Sequence, residues 1–234
     1  INCRRILLRY AHMRCGLSMN AEALRSRVIR LLFLLAVTMP YLLSAQDIAG
    51  DYSLHGFREV ASGLRLSADH TFEFFYTYGA SDRQASGTWS LDSGTVVLQG
   101  SKKKGQDFKL RKSAREGGPG MVIKISDKNT YLQQSVVCFA FTDRDSMIEE
   151  SGIDGIVRFN ADGIKRIELI HAVFPDEPTI IDCSNDPSNY FEFTLNPSLG
   201  EVVFDRVAVS LEGQSLRFSN KYLFGDRVAE FTKP

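Results

Sequence analysis

No apolar stretch in this sequence is long enough to cross a bilayer comfortably. The most apolar one, Leu31–Ala45 (LLFLLAVTMPYLLSA), stops at 15 residues and is broken by Pro40, against the ~20 residues a spanning helix needs. Chemistry-bearing motifs are also missing. Beyond residue 45 the only histidines are His55, His70 and His171, and none sits in an HxH or HExxH pattern. No CxxC pair, GxSxG elbow or P-loop occurs, and no GxGxxG follows a strand-like run. Zinc hydrolysis, dithiol redox chemistry, serine hydrolysis of the elbow type and nucleotide binding therefore have no support in the chain. No cofactor and no metal is expected, and an enzyme is the less favoured class. A strong net charge is absent as well: 28 Lys and Arg face 28 Asp and Glu.

That neutral balance hides an asymmetry. Seven of the basic residues lie in residues 1–45, together with a single acid, Glu22. From residue 46 onward 21 basic residues face 27 acidic ones, a net of −6. A mildly acidic chain does not read as a nucleic-acid binder. The leader reads as a secretory signal. Arg25, Arg27 and Arg30 precede the apolar stretch, and Ser44-Ala45 offers small residues for cleavage between Ala45 and Gln46. Gln46 stands where a lipidated cysteine would have to be, so no stable membrane anchor is expected after cleavage. Met19 is the expected initiator, residues 1–18 an upstream leader and residues 19–45 the signal peptide. The chain is expected to be secreted or periplasmic.

Cysteine is scarce too. Cys3 and Cys15 fall in the leader, which leaves Cys138 and Cys183. Two thiols in an oxidising compartment imply one disulfide, which would close a loop of about 45 residues and stabilise by roughly 4 kcal/mol in the chain-entropy model. The alternative is two separately buried thiols.

What the sequence has in quantity is alternation. After residue 46 short runs change hydrophobicity with period two between turns rich in Gly, Asp, Asn and Ser. DYSLHGF, GLRLSA, TFEFFYTY, GTWSL, TVVLQ and DFKLR read as six strands of an antiparallel meander over residues 46–114, curled into a half-barrel with an aromatic interior. The Gly-Pro-rich stretch at residues 115–120 reads as a linker. Residues 121–234 supply about eight further strands, suited to a β-sandwich, with Glu212-Gly213-Gln214 turning the last two. The fold class is all-β.

Two resemblances can be named on particular residues. Gly50-Asp51-Tyr52, the turn before Phe72, and Gly87-Thr88-Trp89 make residues 47–112 resemble small bacterial secreted lipocalin-like modules. Asp69-His70-Thr71 departs from the usual Asp-Gly of that turn. FTDRDSMIEESGIDGIVRF and the IKRIELI that follows make residues 119–232 resemble the transthyretin-like sandwich found as a carboxypeptidase regulatory-like domain. Together they resemble uncharacterised secreted proteins that pair the two modules. The resemblance implies a fold and a compartment and no known reaction.

Candidate functional residues follow from the stretch Tyr78–Trp89 (YGASDRQASGTW). As a binding site, Tyr76, Tyr78 and Trp89 would line the mouth of the half-barrel, with Asp82 and Arg83 orienting a polar group. As a turn, the same residues would serve local packing and hydrogen bonding. Ser101–Arg115 carries seven basic residues against Asp107 and reads as a solvated strand face or a patch for an anionic partner. Thr142–Gly155 is acidic but fails the calcium-loop spacing, since Met147 and Ile148 occupy key positions. His171 alternates with Leu169 and Ile167 and reads as a hydrogen-bonded core histidine. The functional expectation is a non-catalytic binding protein whose partner is an unknown protein or a small apolar ligand. The alternatives are a carrier with a lipocalin-like cavity and a hydrolase at the junction of the modules.

Overall fold

A computed structural model describes residues 48–234. The expected initiator Met19, the leader and the cleavage residues Ala45 and Gln46 lie outside the described residues.

The first five strands are those of the expected meander. β1 (Gly50–His55), β2 (Val60–Leu66), β3 (Thr71–Tyr78), β4 (Ser81–Asp92) and β5 (Thr95–Gly100) pair each with the next, all antiparallel. Alternation explains their faces. In β3, Phe72, Phe74 and Tyr76 are buried while Thr71, Glu73 and Phe75 are exposed. The turns carry their own chemistry. Ser93 and Gly94 both have positive φ, 50° and 85°, between the paired Asp92 and Thr95, as a two-residue hairpin turn that matches strand twist requires.

The sheet does not stop as an open half-barrel. β14 (Val207–Glu212), β15 (Ser215–Ser219) and β16 (Val228–Thr232) continue it: β14 pairs with β5 and β16 returns to pair with β1. The result is a closed, antiparallel eight-stranded barrel. Closure removes both open edges, where unpaired amides and carbonyls would otherwise face water.

Between β5 and β14 the chain builds a second body. β6 (Phe108–Ala114), β7 (Met121–Ser126), β10 (Ile156–Phe159) and β13 (Tyr190–Leu195) form one four-stranded sheet, in the order β10-β7-β13-β6. β8 (Val136–Phe141), β9 (Ser146–Glu150), β11 (Arg166–His171) and β12 (Thr179–Asp182) form another, in the order β12-β11-β8-β9. Ile123, Ile125, Phe191 and Phe193 of the first sheet and Val136, Ala140, Ile167 and Leu169 of the second form a common core. The sandwich is thus an insertion into the barrel, not a module that follows it.

Three expectations are corrected here. DFKLR is a strand, but it pairs with β13 and belongs to the sandwich. Residues 115–120 do not separate two modules: they join β6 and β7, strands of the same sheet. Cys138 and Cys183 are not bonded; both are free and buried. β11 stands between the strand of Cys138 and that of Cys183. Cys138 is level with Leu169, whereas the Cys183 amide bonds Lys165 O. Two strand spacings and four residues of offset put the Cα atoms roughly 16 Å apart, far beyond the ~7 Å a disulfide can bridge. Burial pushes the Cys138 thiol up to about 12 and the Cys183 thiol up to about 11.

Candidate functional site

The β3–β4 hairpin holds the residues singled out in the sequence and distributes them. Tyr78 pairs with Ser81, and Gly79, with φ of +57°, makes the turn with Ala80. Ser81 and Asp82 are therefore strand residues, not turn residues. Tyr76 and Arg83 are cross-strand partners, both buried. Tyr78, on the same face as Tyr76, projects past the barrel rim at 50% exposure, and Asp82 faces outward. Trp89 is buried six residues along β4 from Arg83, roughly 20 Å away. The five side chains do not form one constellation. Trp89 donates its indole N–H to Ser67 O at 2.9 Å, and its ring lies 4.7 Å from that of His70. Tyr76 donates its hydroxyl to Leu223 O at 3.0 Å.

The barrel axis is occupied by rings. Phe204 reaches in from the segment before β14 and lies 5.4 Å from Phe72, 5.1 Å from Phe74 and 5.9 Å from Phe218. Phe218 stacks on Phe231 at 5.3 Å, and Phe224 covers Tyr76, Phe218 and Phe231. Such offset and edge-to-face contacts add to the stabilisation from burial. Two cross-strand glycines allow close backbone approach here, Gly87 to β5 and Gly100 to the incoming segment. A Cβ on Gly87 would collide with the backbone at Gln99 and Gly100, and one on Gly100 would press on Phe204 at 3.2 Å. Gly100 N–H in turn donates to Phe204 O at 2.6 Å.

At the barrel end nearest Arg83, four segments meet around a buried ionic cluster that sequence reading did not assemble. Arg83 comes from β4, Lys102 and Asp107 from the crossing into the sandwich, Asp176 from the β11–β12 connection, and Glu201 and Val203 from the crossing back. Arg83 Nη2 bonds Asp176 Oδ2 and Glu201 O, both at 3.0 Å, while Nη1 donates to Pro175 O at 2.7 Å. Lys102 Nζ lies 2.6 Å from Asp107 Oδ1 and 3.4 Å from Asp176 Oδ2, and donates to Glu201 O at 2.7 Å. Asp176 also accepts from the amides of Val203 and Glu177. All four ionisable side chains are buried. Desolvation pulls the Arg83 guanidinium below its usual pKa, against the attraction of Asp176, and Arg83 Nε is buried without a hydrogen-bond partner. Burial pushes the Asp107 carboxyl up, against the pull of Lys102. Two cations and two anions neutralise one another, so the cluster carries no net charge.

His171 lies in the same region as Arg83 and is fully buried. Its Nδ1 accepts from the amides of Val173 and Phe174, at 3.2 and 3.3 Å, so the ring proton sits on Nε2, which donates to Leu132 O at 3.1 Å. Burial lowers its pKa to about 4. The basic run is split: Lys102 is buried in the cluster, while Lys109, Arg111 and Lys112 line the exposed strand β6. Among the described residues no three His, Cys, Asp or Glu side chains are placed to hold a metal ion.

Two grooves adjoin the cluster from outside. One, of about 340 Å³, reaches Asp176 between Lys104, Asp205, Lys221 and Tyr222. Its rim charges are matched, Lys104 lying 3.3 Å from Asp205. The other, of about 380 Å³, runs over the outer face of β3 and β4 past Phe75, Gln84, Ser86 and Ser101 to Glu201. Comparison of the chain with protein-family models, with curated proteins and with solved structures finds no match.

Proposed function

We propose that the chain is a secreted or periplasmic, non-catalytic binding protein that meets its ligand on the outside of its β-shell. The observation that carries the reading is the filled axis: Phe72, Phe74, Phe204, Phe218 and Phe231 pack on one another where a carrier would hold its cargo. The ionic cluster supports the same reading. A hydrolase needs displaced titratable groups that converge on an accessible cleft, and here the displaced Arg83 and Asp107 are buried and occupied by their partners. The closed antiparallel eight-stranded ring is consistent with a lipocalin-like origin of the barrel, and the leader sequence supports export.

Two measurements test the proposal. Trp89, the sole tryptophan, reports on the lumen. Titration with a panel of fatty acids is expected to leave its fluorescence unchanged, and a saturable quench would favour the carrier instead. N-terminal sequencing of protein recovered outside the cytoplasm is expected to start at Gln46. Cytoplasmic protein that keeps its leader would contradict export.

A further inference from the structure

The outer face of the β3–β4 hairpin carries an ordered surface that none of the roles above uses. Two cross-strand rows run side by side across it. In the first, Gly63 of β2 faces Phe75 of β3, Phe75 faces Gln84 of β4, and Gln84 bridges to Glu201 of the returning segment. In the second, Arg65 faces Glu73, Glu73 faces Ser86, and the Ser101 amide bonds Ser86 O. Phe75 is 52% exposed, although it is a large apolar residue in the middle of a strand. Its ring lies down over Gly63: a Cβ there would sit 2.5 Å from Phe75 Cε1. The missing side chain of Gly63 therefore lets the ring rest flat against the sheet with its other face open to water.

Chemically this is an aromatic platform bordered by neutral and anionic hydrogen-bonding groups. Gln84 offers both donors and acceptors, Ser86 and Ser101 offer hydroxyls, and Glu201 offers acceptors only. Arg65, in the second row, is engaged by Asp51 and Glu73, at 2.6 and 3.3 Å. From Phe75 to Glu201 is two strand spacings, about 10 Å, and the two rows are about 7 Å apart. We propose that this surface binds a neutral oligosaccharide, with one pyranose ring stacked on Phe75 and the next over Gln84 and Glu201. A pyranose has a face of C–H groups and a rim of hydroxyls that both donate and accept. The C–H face suits an exposed ring, whose π-surface is negative, and the rim suits the mixed amide, hydroxyl and carboxylate border. The carboxylate of Glu201 disfavours an anionic sugar by like-charge repulsion, while that of Glu73 is shared with Arg65. The inference rests on the reading that the outside of the shell carries the binding.

The test is saturation-transfer NMR with cellotriose, chitotriose and maltotriose as probes and trigalacturonate as the anionic control. At least one neutral trisaccharide is expected to bind, with a Kd on the order of 1 mM, and to shift backbone amides of Phe75, Gln84, Ser86 and Glu201. Phe75→Ala is expected to weaken binding at least about tenfold with little change in thermal melting, because the ring is half exposed. Phe75→Tyr keeps the platform and is expected to keep the affinity. Gly63→Ala tilts the ring and is expected to weaken binding without removing any hydrogen-bonding group. Absence of signal from all neutral probes at about 10 mM, equal binding of trigalacturonate, or binding that survives Phe75→Ala would each overturn the proposal. Trp89 quenching reads the lumen separately, so this site can fail while the outer-surface reading stands.

Discussion

Taking the carboxylate from Asp176 leaves Arg83 and Lys102 facing each other in a buried space with one fewer anion between them. Breaking a buried ion pair from one side costs about 3–5 kcal/mol, because the remaining charge is stranded. Asp176→Ala is therefore expected to lower the urea midpoint by a large fraction of the molecule's stability, and the double variant Asp176→Ala with Arg83→Met is expected to recover part of the loss. Equal or additive losses in the two variants would contradict a coupled cluster. His171 makes a pH-dependent prediction. Its pKa is depressed in the folded chain, about 4 against an ordinary 6.5, so the unfolded chain binds a proton that the folded one refuses. The stabilisation from keeping it neutral is complete above pH 6.5 and is lost as pH falls toward 4, by an amount on the order of 3 kcal/mol. His171→Gln is expected to flatten the stability profile in that window, and an unchanged slope would refute the assignment. The thiols supply a third prediction. In a chain starting at Gln46, iodoacetamide is expected to label neither Cys138 nor Cys183 when folded, and both in denaturant without reductant. At this scale the sequence was partly legible. The alternation of His171 with Leu169 and Ile167 foretold a core histidine. Lys102, in a basic run that looked solvated, gave no sign of burial, because its partners are 5, 74 and 99 residues away.

Among the elements, the strands of the meander were legible because each pairs with its sequence neighbour and each turn carries its own φ-positive residue. The last hairpin was legible as a hairpin, since Leu211 pairs with Leu216 around Gly213. What it joins was not legible. β14 pairs with β5 across the whole insertion, and β16 pairs with β1 across nearly the whole described chain. Period-two patterning selects an inward face but not a partner strand, so β6 and β14 were equally plausible sixth strands. β6 carries exposed Lys109, Leu110, Arg111 and Lys112, which suit a sandwich edge, whereas β14 buries Val209 against the barrel. Phe204 ties the returning segment to the barrel strands β3, β5 and β15. Phe204→Ala empties the centre of the ring cluster and is expected to cost about 3–5 kcal/mol, measured by chemical denaturation. A loss below about 1 kcal/mol would mean that the lumen is not packed around it.

For the molecule as a whole, the barrel and its insertion share the ionic cluster, and both crossings of the chain pass through it. Separate fragments cannot complete either the barrel or that cluster. Closure of the barrel encloses the packed axis on which the proposed outward-facing function rests, so closure is the claim to test first. The most direct measurement is inter-strand NOE contacts in the folded protein. The account predicts contacts between the residue pairs Leu54 and Phe231, and Val209 and Val96. Contacts that instead place residues 207–232 against the sheets of the sandwich, with β1 left unpaired on one side, would contradict it.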